Sequence, residues 1–180
     1  LPLGSVKPAG WLRDQLEIQA KGLTGSIEEF WPDLGPNSGW KGGDGESWER
    51  GPYYLDGLVP LAYALDDKAL QEKAQVWIEW ILHSGREDGW FGPAKNKDRW
   101  PLAVALKVLT QYHEATGDSR AIELLNNYFN YLKQAPGRSD SDSEWYRVRA
   151  MESVLPAYWL YNRTGDEGLL ETSQKIFENS

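Results

Sequence analysis

Residues 52–83 read PYYLDGLVPLAYALDDKALQEKAQVWIEWILH. Apolar side chains recur at three- and four-residue spacing on both sides of Asp66-Asp67, which predicts two helices, Pro52–Leu65 and Ala69–His83, joined by a tight turn. The first helix is almost wholly apolar and the second carries more charge. The first is therefore expected inside the fold, the second as an amphipathic cover. Two further stretches repeat this plan. Residues 100–134 give a helix over Trp100–Ala115, the turn TGDSRA and a helix over Ile122–Gln134. Residues 146–178 give a helix over Tyr146–Arg163, the turn TGDEGL and a helix over Leu169–Glu178. Asp67, Asp118 and Asp166 fall in register, 51 and 48 residues apart. Each is placed to accept hydrogen bonds from the free N–H groups of the helix that follows. The chain thus reads as one all-α domain over residues 1–180, built of helical hairpins at 52–83, 100–134 and 146–178.

The segments outside the hairpins are less regular. Pro8–Lys21 carries Trp11, Leu12, Leu16 and Ile18 near helical spacing, which predicts an amphipathic helix ended by Gly22 or Gly25. Phe30–Gly51 is dense in Gly and Pro without a period, an ordered loop rather than a linker because of its Trp residues. The hairpins are preceded by GWKGGDGESWERG, SGREDGWFGPAKNKDRW and APGRSDSDSEWYR, all polar and punctuated by Trp. Pro60 and Pro156 lie inside predicted inner helices, where each either bends the axis or moves the true start.

Composition removes several function classes. The net charge is -8 with no Lys/Arg cluster, which argues against nucleic acid and anionic lipid as partners. No apolar run reaches membrane-spanning length. There is no Cys, so no disulfide, thiolate metal site or Cys nucleophile can form within the chain. His83 and His113 have no partner at ligand spacing, so no metal set is expected. GWKGGDG lacks the ending that phosphate binding needs. Ten Trp and nine Tyr are instead more aromatic surface than packing alone requires.

GPYYLDGLVPLAYALDD, EDGWFGPAKNKDRWPLAVALKVLTQYHEATGD and YWLYNRTGD resemble the N-terminal part of the helical barrel in the β-L-arabinofuranosidase-like glycoside hydrolases, family 127 and its relatives. The resemblance implies an α/α toroid, of which three hairpins make about half of an (α/α)6 barrel. It implies hydrolysis of terminal sugars from plant or microbial glycans, with carbohydrate as partner. It also implies a Cys nucleophile, a zinc held largely by Cys with a Glu, and a separate acidic residue as acid/base. No Cys of this chain can take those roles. Either they lie beyond Ser180, or this branch works with two carboxylates. No cofactor is therefore expected from this chain, and zinc only together with residues beyond it. The remaining half of the barrel, or another copy, is the expected protein partner. An extracellular or periplasmic location follows if a leader has been removed. The same toroid also serves polysaccharide lyases and unsaturated-uronyl hydrolases, and a non-catalytic helical repeat is the third reading.

In toroids of this kind the long loops and the inner-helix ends beside them form the cleft. Glycoside hydrolysis needs two carboxyl groups across one bond. Asp56, Glu49 and Glu152 are the catalytic candidates, with Glu46 in the same acidic set. Asp56, near a helix start, suits a nucleophile, base or hydroxyl-holding role, or else a first-turn charge. Glu49 either acts or pairs with Arg50, and Glu152 either acts or sits in an ion pair. Trp40, Trp48, Tyr53, Tyr54, Trp90, Trp100 and Trp145 are candidate sugar platforms or loop anchors. Asn96 and Asp98 are candidate hydroxyl binders, with Asp98 placed equally well to cap a helix. Asp88 and Arg99 at the second junction and Glu144 and Arg149 at the third are further charged residues to weigh.

Overall fold

The computed structural model describes residues 1–134 and 142–178. Among these the chain is all helical: α1 Trp11–Lys21, α2 Leu23–Ser26, α3 Arg50–Leu65, α4 Lys68–His83, α5 Trp100–Thr116, α6 Ser119–Gln134, α7 Glu144–Arg149, α8 Val154–Thr164 and α9 Gly168–Glu178. Single 3-10 turns at Ile27–Glu29, Pro32–Leu34 and Gly39–Lys41 shape the long loop before α3. None of the helices among the described residues is long and apolar enough to cross a membrane.

Each hairpin turn is made the same way. A residue in the left-handed region ends the first helix: Asp66 at φ 56°, Gly117 at φ 72° and Gly165 at φ 71°. The Asp that follows holds the next helix start. The Asp67 carboxylate accepts from Leu70 N at 3.1 Å, Asp118 from Arg120 N at 3.0 Å and Asp166 from Gly168 N at 2.9 Å. These bonds satisfy N–H groups that have no carbonyl partner within the helix.

Helices α3 and α5 form the centre. Leu55, Leu58, Val59 and Ala62 of α3 are fully buried, as are Leu102, Ala103, Ala105, Leu106, Val108 and Leu109 of α5. The two run parallel and in register: Tyr53 meets Trp100 at their starts, and Asp56 meets Lys107 and Gln111 further along. α4 and α6 cover them through apolar stripes that include Trp77, Ile78, Ile81, Leu125, Tyr128 and Phe129. The inner-apolar, outer-amphipathic division is the one the sequence suggests.

The third unit departs from it. Its first helix is broken into α7, a 3-10 turn over Ala150–Ser153 and α8. Pro156 consequently lies in the first turn of α8, where its missing N–H removes no helical bond. Pro60 stays inside α3, where the carbonyl of Asp56 lacks its usual N–H donor. The third turn also reaches the second hairpin: Asp166 pairs with Lys133 in the last turn of α6 at 2.6 Å.

The array is open at both edges. Met151, Leu155 and Tyr158 of the third unit are exposed, and so are Trp11, Leu12 and Ile18 of α1. The amphipathic helix expected near the N-terminus does form, but none of its residues is buried, and of its apolar set Leu16 and Ala20 pack partly on the core. Uncovered apolar helix faces at both ends of a row of hairpins are what a partial α/α toroid leaves.

Candidate active site

The three junctions converge through their acids and tryptophans. A buried indole N–H needs an acceptor, and a carboxylate supplies a strong one. Trp100 Nε1 donates to Glu49 at 2.7 Å, Trp48 Nε1 to Asp98 at 2.7 Å and Trp77 Nε1 to Glu28 at 3.1 Å. Asp98 also accepts from the backbone N of Trp100 at 3.1 Å and of Ser143 at 3.2 Å. One carboxylate thereby ties the first, second and third junctions together. Beside it, Arg99 and Asp142 form a fully desolvated pair, with Nε of Arg99 at 3.0 Å and 2.9 Å from the two carboxylate oxygens. The Arg99 guanidinium lies 4.7 Å from the Tyr146 ring.

Two adjoining cavities open on this framework. The larger, about 420 Å³, lies among Ile27, Trp31, Leu34, Tyr54 and Trp145, with Glu49 and Arg50 in its wall. The smaller, about 230 Å³, is formed by Asp56, Val104, Lys107 and Glu152. Tyr53, Trp100 and Arg149 line both. Arg149 lies 5.2 Å from the Trp100 ring and 5.0 Å from the Trp145 ring, and donates to Tyr53 Oη at 3.1 Å. Asp56 accepts from Lys107 Nζ and from Gln111 Nε2, both at 2.9 Å. Glu49 is 3.5 Å from Arg50.

The structure brings together the three acidic candidates Asp56, Glu49 and Glu152, and four of the rings, Tyr53, Tyr54, Trp100 and Trp145. The other candidates are placed elsewhere, and for each the reason is physical. Trp40 is 0% exposed, its indole donating to the Trp48 carbonyl at 2.7 Å, so neither ring face is open to a sugar. Trp90 is 7% exposed and packed edge-on against Tyr128 and Tyr131. Trp48 is half-buried with its N–H committed to Asp98. Asn96 is buried and closes a local turn with the backbone of Asp98, while Asp98 itself is the junction tie and caps α5. Trp40, Trp90, Asn96 and Asp98 are thus buried within the loop framework, and Trp48 is tied to it through its N–H. Glu46 accepts from Trp48 N at 2.8 Å, and burial pushes its carboxyl above the ordinary glutamate value.

Lys107, Gln111, Trp31 and Arg50 belong to the site and were not singled out for it from the sequence. For the first two a signal exists. Trp100, Val104, Lys107 and Gln111 follow one helical face, and a Lys inside WPLAVALKVL has no reason to lie on a buried helix unless an acid or a cavity meets it. Trp31 and Arg50 come together only through the fold of the long loop, their ring and guanidinium 5.7 Å apart.

A row of helical hairpins whose junctions enclose a ring-lined, carboxylate-bearing cleft is the architecture of a partial α/α toroid. The β-L-arabinofuranosidase GH127 catalytic domain matches residues 14–180, and the chain belongs to that family. No curated protein and no solved structure matches it. The Cys-held zinc implied by the family resemblance does not fit the residues present. The chain has no cysteine, and among the described residues no three His, Asp or Glu side chains gather where they could hold a metal.

Proposed function

We propose that this chain forms part of the substrate cleft of a β-L-arabinofuranosidase-like glycoside hydrolase acting on terminal sugars of plant or microbial glycans. The observation that carries the reading is the meeting of Asp56, Glu49 and Glu152 with Tyr53, Trp100 and Trp145 around two joined cavities. Flat rings match the C–H face of a sugar, and carboxylates accept its hydroxyls. Both Asp56 oxygens already hold hydrogen bonds, which fixes the carboxylate in one orientation, ready to accept a sugar hydroxyl with its remaining lone pairs. Glu49 is fixed in the same way by the Trp100 indole. Glu152, on the 3-10 turn of the third unit, lines the smaller cavity with Asp56. The remaining half of the barrel, or another copy, would complete the cleft across the open edges. An extracellular or periplasmic location goes with this reading if a leader has been removed.

The test is a glycoside panel read by hydrolysis and by binding. Asp56→Asn, Glu49→Gln and Glu152→Gln are each compared with the parent chain. Loss of a carboxylate that acts on the reacting sugar lowers kcat by about a hundredfold or more with an unchanged fold. A panel on which the parent neither binds nor hydrolyses any glycoside overturns the reading.

A further inference from the structure

We propose that the junction cleft takes a sugar bearing a carboxylate, a uronosyl residue, and that Arg149 is the residue that pairs with that carboxylate. The inference rests on the carbohydrate reading above and adds the substrate class. Three cations line the two cavities, and two are already answered: Lys107 by Asp56 at 2.9 Å, and Arg50 by Glu49 at 3.5 Å. Arg149 has no carboxylate within ion-pairing distance among the described residues, although the chain as a whole carries a net charge of -8. Arg149 is exposed, and its guanidinium has defined neighbours. Trp100 and Trp145 flank the guanidinium, and the Tyr53 hydroxyl takes one of its N–H groups. A guanidinium has five N–H donors, and its planar fork matches a carboxylate in two-point contact.

The neighbourhood says what kind of acid this is. Trp145 is 52% and Tyr53 43% exposed, so ring surface is available beside the charge. A carboxylate attached to a pyranose or furanose presents both features together, an anion for Arg149 and a C–H face for the rings. Glu152 lines the smaller cavity with Arg149 and is the internal acid best placed to compete for it.

The experiment is a titration of tryptophan fluorescence, supported by ligand-observed NMR, on the 180-residue chain. The methyl glycosides of D-galacturonic and D-glucuronic acid are compared with those of D-galactose and D-glucose, with sodium acetate as a plain anion. The uronates are expected to bind about tenfold more tightly than the neutral sugars, with the preference shrinking as salt rises. Arg149→Gln removes that preference, while Arg149→Lys, keeping the charge without the fork, retains part of it. Circular dichroism confirms that each variant is folded; if Arg149→Gln is not, the preference and salt dependence of the parent chain decide. Equal binding of uronates and neutral sugars overturns this proposal alone and leaves the carbohydrate reading standing. Acetate competing as well as the uronates also overturns it, by showing a simple anion site. Absence of binding by any sugar overturns both.

Discussion

The short turns and the long junctions of this chain follow opposite rules. The three turns repeat in conformation and in chemistry, a left-handed residue and then a capping Asp that accepts a backbone N–H of its own hairpin. The junctions do not repeat. Their residues find partners in one another: Trp48 of the first on Asp98 of the second, Ser143 of the third on that same Asp98, Glu49 of the first on Trp100. Local repetition builds each hairpin, while exchange between unlike loops sets one hairpin against the next and leaves the cleft between them. The cleft is therefore cooperative in a way that the turns are not.

Removing a charge from the junctions should break that difference most visibly. Arg99→Met leaves Asp142 buried with its main partner gone, and breaking a buried ion pair from one side costs about 3–5 kcal/mol. A fall in the urea or thermal midpoint of that order, with the cleft lost as one unit, is the expected result. An Arg99→Met protein as stable as the parent would mean that the junctions are not held from this point. Asp98→Ala follows, with a loss of about 2–3 kcal/mol as it orphans the Trp48 indole and two backbone N–H groups. Its effect should spread to all three junctions, seen as faster amide exchange around Trp48, Trp100 and Ser143.

The turns should respond less, and separately. Gly117→Ala and Gly165→Ala each force a side chain into the left-handed region at a loss of about 1 kcal/mol. Nothing lies within 4 Å of the added methyl at either position, so the cost is conformational alone. The double variant should show the sum of the two losses in thermal unfolding. A strongly non-additive result would make the turns as interdependent as the junctions.

The same contrast explains what could be read from the sequence. Helices and turns follow from short-range rules, and the period of apolar residues with DD or GD at each turn places them without a structure. The break before α8 is not legible in this way, because Pro156 fits both a kink and a first turn. At the junctions, residue type predicts that Trp and acids matter but not which meet. Trp40 and Trp100 look alike in sequence, yet the indole of one serves a backbone carbonyl in the core and that of the other a carboxylate at the cleft. Asp56 and Asp98 look alike as helix-start acids, and partners more than 40 residues away decide that one faces the cavity and the other ties loops. Pairings of that range are set by tertiary packing, which no local pattern encodes.

The smallest effect expected lies in the pH dependence, where the two regions differ in sign. In the turns Arg120 holds the Asp118 carboxyl below its ordinary value, and Lys133 does the same for Asp166. A carboxyl lowered in the folded state adds stability above its unfolded pKa, and that stability is lost as pH falls through the folded one. Glu46, at the first junction, is raised instead, because burial disfavours its charge and one of its oxygens has no hydrogen-bond partner. Its folded form holds a proton that the unfolded form has already released, so stability falls as pH rises from the unfolded value through the folded one. Glu46→Gln keeps an oxygen to accept from Trp48 N and removes the titration. The difference in thermal midpoint between Glu46→Gln and the parent should therefore move in the variant's favour as pH rises above the ordinary glutamate range. Asp118→Asn should move the opposite way against the parent over the acidic range, losing ground as pH rises because the parent alone gains from ionisation. Parallel curves for the two variants would show that burial at the junction and ion pairing at the turns do not act on their carboxyls as opposites.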